Sequence, residues 1–158
     1  MSDTQTGHQF SAGELATLAA VLDEIIPPSG DGKFPGAGFL AGGERLAGII
    51  RLMPGLDLAL VGGLAAADDR ARKRGAASYA ALPAEDRGAV LNEVAANDGG
   101  FVPSMMFVAF TTYYVEDRVV EALDLEVRPP HPKGFAMGAS DPALLDPVRS
   151  RDKLYREC

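Results

Sequence analysis

The chain has 158 residues, 47% of them hydrophobic, and a formal net charge of −7. That length and composition favour one domain whose hydrophobic core needs no metal or disulfide support. The single cysteine, Cys158, excludes an intramolecular disulfide and a cysteine-based zinc site, and the two histidines, His8 and His131, are too few and too distant for a histidine-rich site. The acidic charge disfavours nucleic acid and anionic lipid as partners, because both carry phosphate.

The sequence shows no targeting or membrane-spanning segment. Residues Met1 to His8 have no basic stretch followed by an apolar one, as a signal peptide requires. The longest uncharged run, Gly99 to Val115, contains Pro103 and is slightly short for a membrane span. We therefore expect a soluble, cytoplasmic chain that does not insert into a membrane.

Apolar periodicity and helix-boundary residues predict an all-α fold of about six helices, and no alternating strand pattern exceeds four residues. The first helix follows a capping box, Ser11–Glu14, and ends before Pro27-Pro28. The third is apolar on nearly all sides through Ala67, so we expect it to be buried. The predicted helices cover residues 12–26, 39 or 43 to 52, 54–74, 83–97, 104–114 and 116–123. The core should come from the first, third and fifth helices and include Leu22, Ile26, Leu60, Leu64, Val108 and Phe110.

From residue 126 onward the composition changes. Residues 126–158 hold five of the eleven prolines. They also hold six of the fifteen Lys and Arg, against five acidic side chains, for a net charge of +1. Residues 1–125 carry 9 basic and 17 acidic side chains, for a net charge of −8. We predict a helical domain, residues 1–125, followed by an extended, proline-rich, partner-binding tail, residues 126–158; the alternative is that the tail folds back on the helical domain. The expected partner-binding residues are Arg128, Pro130, His131, Phe135, Leu144, Leu145, Arg149, Arg151, Tyr155 and Arg156.

Two short motifs match catalytic or cofactor patterns without the structural context that those patterns need. Residues 36–41 fit the dinucleotide pattern G-x-G-x-x-G/A, with Asp57 at a suitable distance for a ribose contact, but the mechanism requires a strand before the first glycine and a helix precedes it here. Residues 150–153 fit the S-x-x-K pattern of penicillin-recognising enzymes, but the companion motifs are missing. We therefore predict no catalytic, cofactor-binding or metal-binding residue in this chain.

Other candidate groups have simpler interpretations. The carboxylate pairs 23–24, 68–69, 85–86 and 116–117 point about 100° apart on a helix and suit helix ends or solvated faces, although the first pair could oppose cations on a partner. The stripe from Met105 to Phe110 suits a core better than a pocket. His131 lies between two prolines, where a loop position is favoured over a catalytic base.

Four segments, taken in order, resemble the gluconate 2-dehydrogenase subunit 3 family, the small subunit of bacterial flavin-dependent sugar and polyol dehydrogenases. The resemblance covers roughly residues 11–156 and depends on the order of the segments rather than on any single motif. The segments are residues 22–27 with 34–38, residues 79–87, residues 110–123, and residues 128–134 with 144–149.

The resemblance implies a non-catalytic accessory subunit that binds and stabilises or matures a large subunit of the glucose–methanol–choline oxidoreductase type. FAD is then expected in that partner and not in this chain, with a cytochrome or iron–sulfur centre in other subunits of some complexes. Many family members carry a twin-arginine signal, which this sequence does not show. A periplasmic location is therefore expected only if the partner carries the signal or the signal was removed.

Two alternatives belong to other functional classes. One is a stand-alone helical ligand-binding protein or small enzyme with a pocket near residues 104–114. The other is a helical adaptor of an unrelated complex. A flavoprotein gene beside this one favours the accessory subunit over the adaptor, and a monodisperse monomer with a well-formed apolar pocket favours the ligand-binding protein.

Overall fold

A computed structural model describes residues 8–128, 134 and 137–152, and within these residues the protein has seven α-helices and no strand. The all-α prediction is confirmed. Backbone contacts divide the chain into a helical unit, Met1–Val127, and a tail unit, Arg128–Cys158. The helices are α1 (Ala12–Ile25), α2 (Glu44–Leu52), α3 (Leu56–Lys73), α4 (Ala84–Asn97), α5 (Phe101–Tyr113), α6 (Asp117–Ala122) and α7 (Asp146–Arg149), and 3-10 turns cover Ala37–Leu40, Tyr79–Ala81 and Pro142–Leu145.

Helix α1 begins at the predicted capping box. The backbone amide of Glu14 donates to the Ser11 hydroxyl over 3.3 Å, and the Glu14 carboxylate accepts from the Ser11 amide over 2.7 Å. Two amides that have no partner inside the helix are thereby satisfied. The bond from the Ser11 amide also holds the pKa of Glu14 below its usual value, because it stabilises the ionised form.

Helices α2 and α3 meet at a bend of 115°. Gly55 forms the bend with φ of +83°, a left-handed conformation that favours glycine, so Pro54 precedes α3 instead of opening it. Helix α3 is buried along one face, as the prediction required, but not all round, because Leu58 is 69% exposed. It lies in the first turn after the bend, on the side opposite to buried Leu56 and Leu60.

The core of the helical unit combines α1, α3 and α5, as predicted, with further side chains from α2 and α4. Leu22, Leu60, Leu64 and Val108 are buried as expected. Ile26 is half-buried and packs against the same cluster. The prediction for Phe110 is wrong, since its side chain is 42% exposed. Other members of the core are Leu18, Val21, Val90, Val94, Phe101 and Met105.

Helices α3 and α5 approach each other closely at Gly63. A Cβ atom added there would overlap the ring of Phe101, which is itself buried. The neighbouring Gly62 has no other atom within 4 Å of such a Cβ. Gly63 therefore fixes the spacing between α3 and α5, and with it the direction in which α5 faces.

Helix α5 begins at Phe101, three residues earlier than the predicted start at Ser104. Pro103 consequently lies inside its first turn, where the missing amide hydrogen costs no intrahelical bond. Among the described residues, no single helix has both the length and the apolar composition to cross a membrane. In the described part of the chain, the bent pair α2 and α3 meets those two criteria only when both helices are taken together.

The described part of the tail unit differs from a fully extended segment over residues 142–149. The Asp141 side chain caps the 3-10 turn by accepting from the Ala143 amide over 3.0 Å. Pro142 and Pro147 each occupy one of the first two positions of a helical turn, where proline is tolerated. The side chains of residues 137–152 are exposed.

Candidate functional site

The glycines of the dinucleotide-like segment surround a carboxylate from the chain itself. The Gly38 amide donates to Oδ1 of Asp23 over 2.6 Å, at the start of the 3-10 turn. A Cβ atom at Gly36 or Gly38 would overlap this carboxylate. The two glycines are thus explained by the close approach of Asp23. A phosphate does not fit here, because the Gly38 amide already has an acceptor and the carboxylate would repel a second anion.

Asp57, the candidate ribose contact, is also engaged within the helical unit. Its carboxylate accepts from the backbone amides of His8, over 3.1 Å, and Leu58, over 2.9 Å. These bonds, that from His8 first, hold the pKa of Asp57 below its usual value. Asp57 lies in the first turn of α3 and follows no strand, so the residues of this segment do not fit a dinucleotide.

The two parts of the first segment that carried the family resemblance, residues 22–27 and 34–38, are joined by a backbone contact. The Ala37 amide donates to the Ile26 carbonyl over 2.9 Å. The Tyr113 hydroxyl, from the end of α5, donates to the Pro35 carbonyl over 2.7 Å. The ordinary pKa of tyrosine, about 10, already keeps this hydroxyl protonated at neutral pH, and burial raises the pKa of Tyr113 further. The loop over residues 34–40 is therefore fixed to both α1 and α5.

A second loop, before α4, is held in the same way. The carboxylate of Asp68 accepts from the Thr17 hydroxyl and from the Tyr79 amide, each over 2.8 Å. Arg87 donates from Nη2 to the Ala80 carbonyl over 3.0 Å. The interpretation of the carboxylate pairs as helix ends or solvated faces is wrong for Asp23 and Asp68, because each connects separate parts of the chain.

The outer face of helix α5 is apolar and exposed. The outer face consists of Met106, Phe107, Phe110 and Tyr114, whose side chains are 42–50% exposed. The rings of Phe110 and Tyr114 stack at 6.3 Å with an interplanar angle of 11°. The inner face, with Met105, Val108 and Ala109, lies in the core. The core interpretation of the stripe from Met105 to Phe110 therefore holds for only half of it.

The structure describes five of the ten predicted partner-binding residues, and all five lie in the tail unit. Leu144 and Leu145, on the 3-10 turn, are 75% and 51% exposed. Arg149 forms an ion pair with Asp146 over 3.0 Å, one helical turn away, and Arg151 is exposed. The guanidinium of Arg128 donates to the Gly134 carbonyl over 2.6 Å. Five predicted residues lie outside the described part of the chain: Pro130, His131, Phe135, Tyr155 and Arg156.

Neither the serine motif nor the residues suited to metal binding form a reactive cluster where the structure describes them. The Ser150 hydroxyl donates to the Pro147 carbonyl over 3.1 Å, and Lys153 lies outside the described residues. Across residues 8–128, 134 and 137–152, no three His, Cys, Asp or Glu side chains are grouped so that they could hold a metal ion.

A groove of about 1080 Å³ lies on another side of the helical unit. It is bordered by the segment His8–Phe10, by Ile50 and Arg51 of α2, and by Asp57 and Leu58 of α3. None of its lining residues belongs to segment 104–114, where the ligand-binding alternative expects a pocket. The groove therefore gives that alternative no support.

Comparison with known proteins identifies the family of the chain. No curated protein and no solved structure matches it significantly. A family model described as gluconate 2-dehydrogenase subunit 3 matches residues 12–123, which is most of the chain and nearly all of the helical unit. By this description the family is one subunit of a multi-subunit dehydrogenase, which implies partner subunits. The chain belongs to the gluconate 2-dehydrogenase subunit 3 family.

Proposed function

We propose that this chain is the non-catalytic accessory subunit of a sugar or alcohol dehydrogenase complex, and that it binds and stabilises or matures the large FAD-containing subunit. FAD belongs to the partner in this proposal, and this chain supplies structure and contact surface. The family match over residues 12–123 is the observation that carries the proposal.

Two features of the described residues support a binding role over a catalytic one. The groups that looked most reactive in the sequence have structural partners: Asp23 holds Gly38, Asp57 holds the amide of His8, and Ser150 bonds to its own helix. The outer face of α5 exposes several large apolar side chains next to one another, and the largest apolar patch on a protein is often functional.

The tail unit is proposed to contribute to the interface. Leu144 and Leu145 would supply apolar anchors, and Arg149 and Arg151 would reach carboxylates or carbonyls of the partner. Prolines restrict the free chain beforehand, so ordering it on a surface costs less entropy. Phe135, Tyr155 and the other predicted contacts outside the described residues remain predictions.

The proposal is tested by purifying the tagged chain from its native host and identifying what accompanies it. We expect a larger dehydrogenase polypeptide of the glucose–methanol–choline type, together with the absorption spectrum of bound flavin. Recovery of the chain alone, or with proteins unrelated to a dehydrogenase, contradicts the proposal.

The tail contribution has a separate test. Removing residues from Glu126 onward should leave a folded helical unit but weaken its co-purification with the flavoprotein. Leu144→Ser should weaken the complex, whereas Leu52→Ser should not, and the two leucines are matched by exposure at 75% and 78%. If the truncated chain binds its partner with unchanged affinity, the tail unit is not part of the interface.

A further inference from the structure

The outer face of α5 brings together Phe107, Phe110 and Tyr114, the large aromatic side chains that are exposed in the described part of the helical unit. Met106, Phe107, Phe110 and Tyr114 recur at helical spacing and fall on one side of the helix, about half exposed each. An amphipathic surface helix normally carries charged or polar residues on this side. Here no charged residue occurs between Gly99 and Val115. The core does not account for these side chains, because the opposite face of α5 already packs into it.

The size of this face is that of a functional patch. A buried aromatic side chain removes about 150–250 Å² from water, so three half-exposed rings leave roughly 300 Å² of ring surface in solvent. Contiguous apolar patches of about that size on a folded monomer commonly mark an interaction site. The near-parallel rings of Phe110 and Tyr114 lie side by side. Aromatic side chains have only two χ angles, so ordering them under a partner costs little side-chain entropy.

The occupant of this face follows from area and charge. A stable interface buries about 800 Å² on each partner, more than twice the ring surface of this face, so two copies meeting through α5 alone fall short. Two copies would also bring together helical units, residues 1–127, that each carry 9 basic and 18 acidic side chains, a net charge of −9. A larger, different polypeptide avoids both difficulties if it offers this face an apolar pocket with a basic rim and also covers further surface of this chain.

We infer that the outer face of α5 is the aromatic anchor through which this chain docks on the FAD-containing dehydrogenase subunit. The inference rests on the proposed function, and it assigns the central contact to the helical unit, with the tail unit adding to it. Phe, Tyr and Met are enriched in the cores of protein interfaces, and a few such side chains in partner pockets commonly supply most of the binding free energy. Phe107 and Phe110 are the expected main contributors.

Site-specific photo-crosslinking in the assembled complex tests which surface touches the partner. A photoreactive phenylalanine analogue is introduced at Phe107 in one variant and at Leu58 in another, both exposed positions on the helical unit. We expect a crosslink to the flavin-containing subunit from position 107 and none from position 58. The reverse result, or a crosslink from position 107 to a second copy of this chain, overturns the inference.

Affinity measurements provide the second test. Phe107→Glu and Phe110→Glu should each weaken binding to the purified flavin-containing subunit at least about tenfold, as expected for an interface anchor. Leu58→Glu is the matched control and should bind like the wild type. Circular dichroism and thermal unfolding confirm that each variant is folded, which is expected because all three side chains are substantially exposed.

The outcomes separate this inference from the proposed function. If the wild-type chain binds the flavoprotein and both α5 variants bind it equally well, the docking surface is wrong and the accessory role stands. If the wild-type chain binds no flavoprotein, both are wrong. If the wild-type chain is a dimer by light scattering and Phe107→Glu makes it a monomer without changing flavoprotein binding, the face serves self-association.

Discussion

Replacing Gly63 by alanine tests the packing that sets the direction of the α5 outer face. Gly63 and Gly62 are adjacent in the middle of α3, but they face different surroundings. A Cβ atom at Gly63 overlaps the buried ring of Phe101, whereas a Cβ atom at Gly62 meets nothing within 4 Å. The two Gly→Ala variants therefore share the change in helix propensity and differ only in packing.

The expected magnitudes follow from that comparison. Alanine is favoured over glycine in a helix interior by about 0.8–1.0 kcal/mol, so Gly62→Ala should raise the free energy of unfolding by roughly that amount. Gly63→Ala gains the same propensity term but overpacks the contact with Phe101, which typically costs about 1–3 kcal/mol. Gly63→Ala should therefore be less stable than Gly62→Ala by about 1–3 kcal/mol.

Urea titration followed by circular dichroism measures both variants under the same conditions. The double variant Gly63→Ala/Phe101→Leu adds a specific check. Leucine at position 101 is smaller than phenylalanine and leaves space for the new methyl group. The double variant should therefore lose less stability than the two single variants added together, by about 0.5–3 kcal/mol. If Gly63→Ala stabilises the protein as much as Gly62→Ala does, the ring of Phe101 does not cover Gly63. The orientation assigned to α5 is then wrong.

Three further predictions concern the core, the Asp23 contact and pH. Leu60→Ala should lower the free energy of unfolding by about 2–5 kcal/mol, because Leu60 is fully buried; a loss below about 1 kcal/mol in urea titration would place it outside the core. Asp23→Ala should lower the free energy of unfolding by about 1.5–3 kcal/mol, because it removes a charged acceptor from the Gly38 amide. Gly38→Ala should destabilise the wild-type protein but have a much smaller effect in the Asp23→Ala variant, where the overlapping carboxylate is gone. Equal effects of Gly38→Ala in both proteins would contradict the contact. Burial raises the pKa of Tyr79 and Tyr113, so as pH rises the unfolded chain loses these two protons before the folded protein does. The free energy of unfolding should therefore fall above about pH 10, and it should fall less in a variant with both tyrosines replaced by Phe. A wild-type unfolding midpoint that does not change above that pH would contradict this.

Local signals in the sequence were sufficient to predict much of the helical unit. The capping box at Ser11–Glu14 and the apolar spacing after it define α1, because both depend on residues close together in the chain. Helices α3 and α5 were also predicted as core helices, since each offers buried side chains at helical spacing. These features need no knowledge of which helices are neighbours.

The positions that sequence analysis assigned wrongly depend on tertiary contacts. Helix α5 has no charged residue, so nothing in its sequence distinguished the inward Val108 from the outward Phe110. The acceptors of the Gly38 amide and the Thr17 hydroxyl, Asp23 and Asp68, lie 15 and 51 residues away along the chain. The uncharged run from Gly99 to Val115 is the available signal for the α5 outer face, but from the sequence alone it is weighed only as a membrane span, and the stripe from Met105 to Phe110 within it is assigned to the core.

Locating the flavin within the purified complex tests the accessory role most directly. The complex is isolated through a tag on this chain, its two polypeptides are separated under conditions that retain bound FAD, and the absorption spectrum and dye-linked sugar oxidation of each are recorded. The account predicts that flavin absorbance and activity follow the larger polypeptide, that the separated chain is colourless and inactive, and that adding it back stabilises the flavoprotein. Flavin absorbance or sugar oxidation in the separated chain would contradict the account.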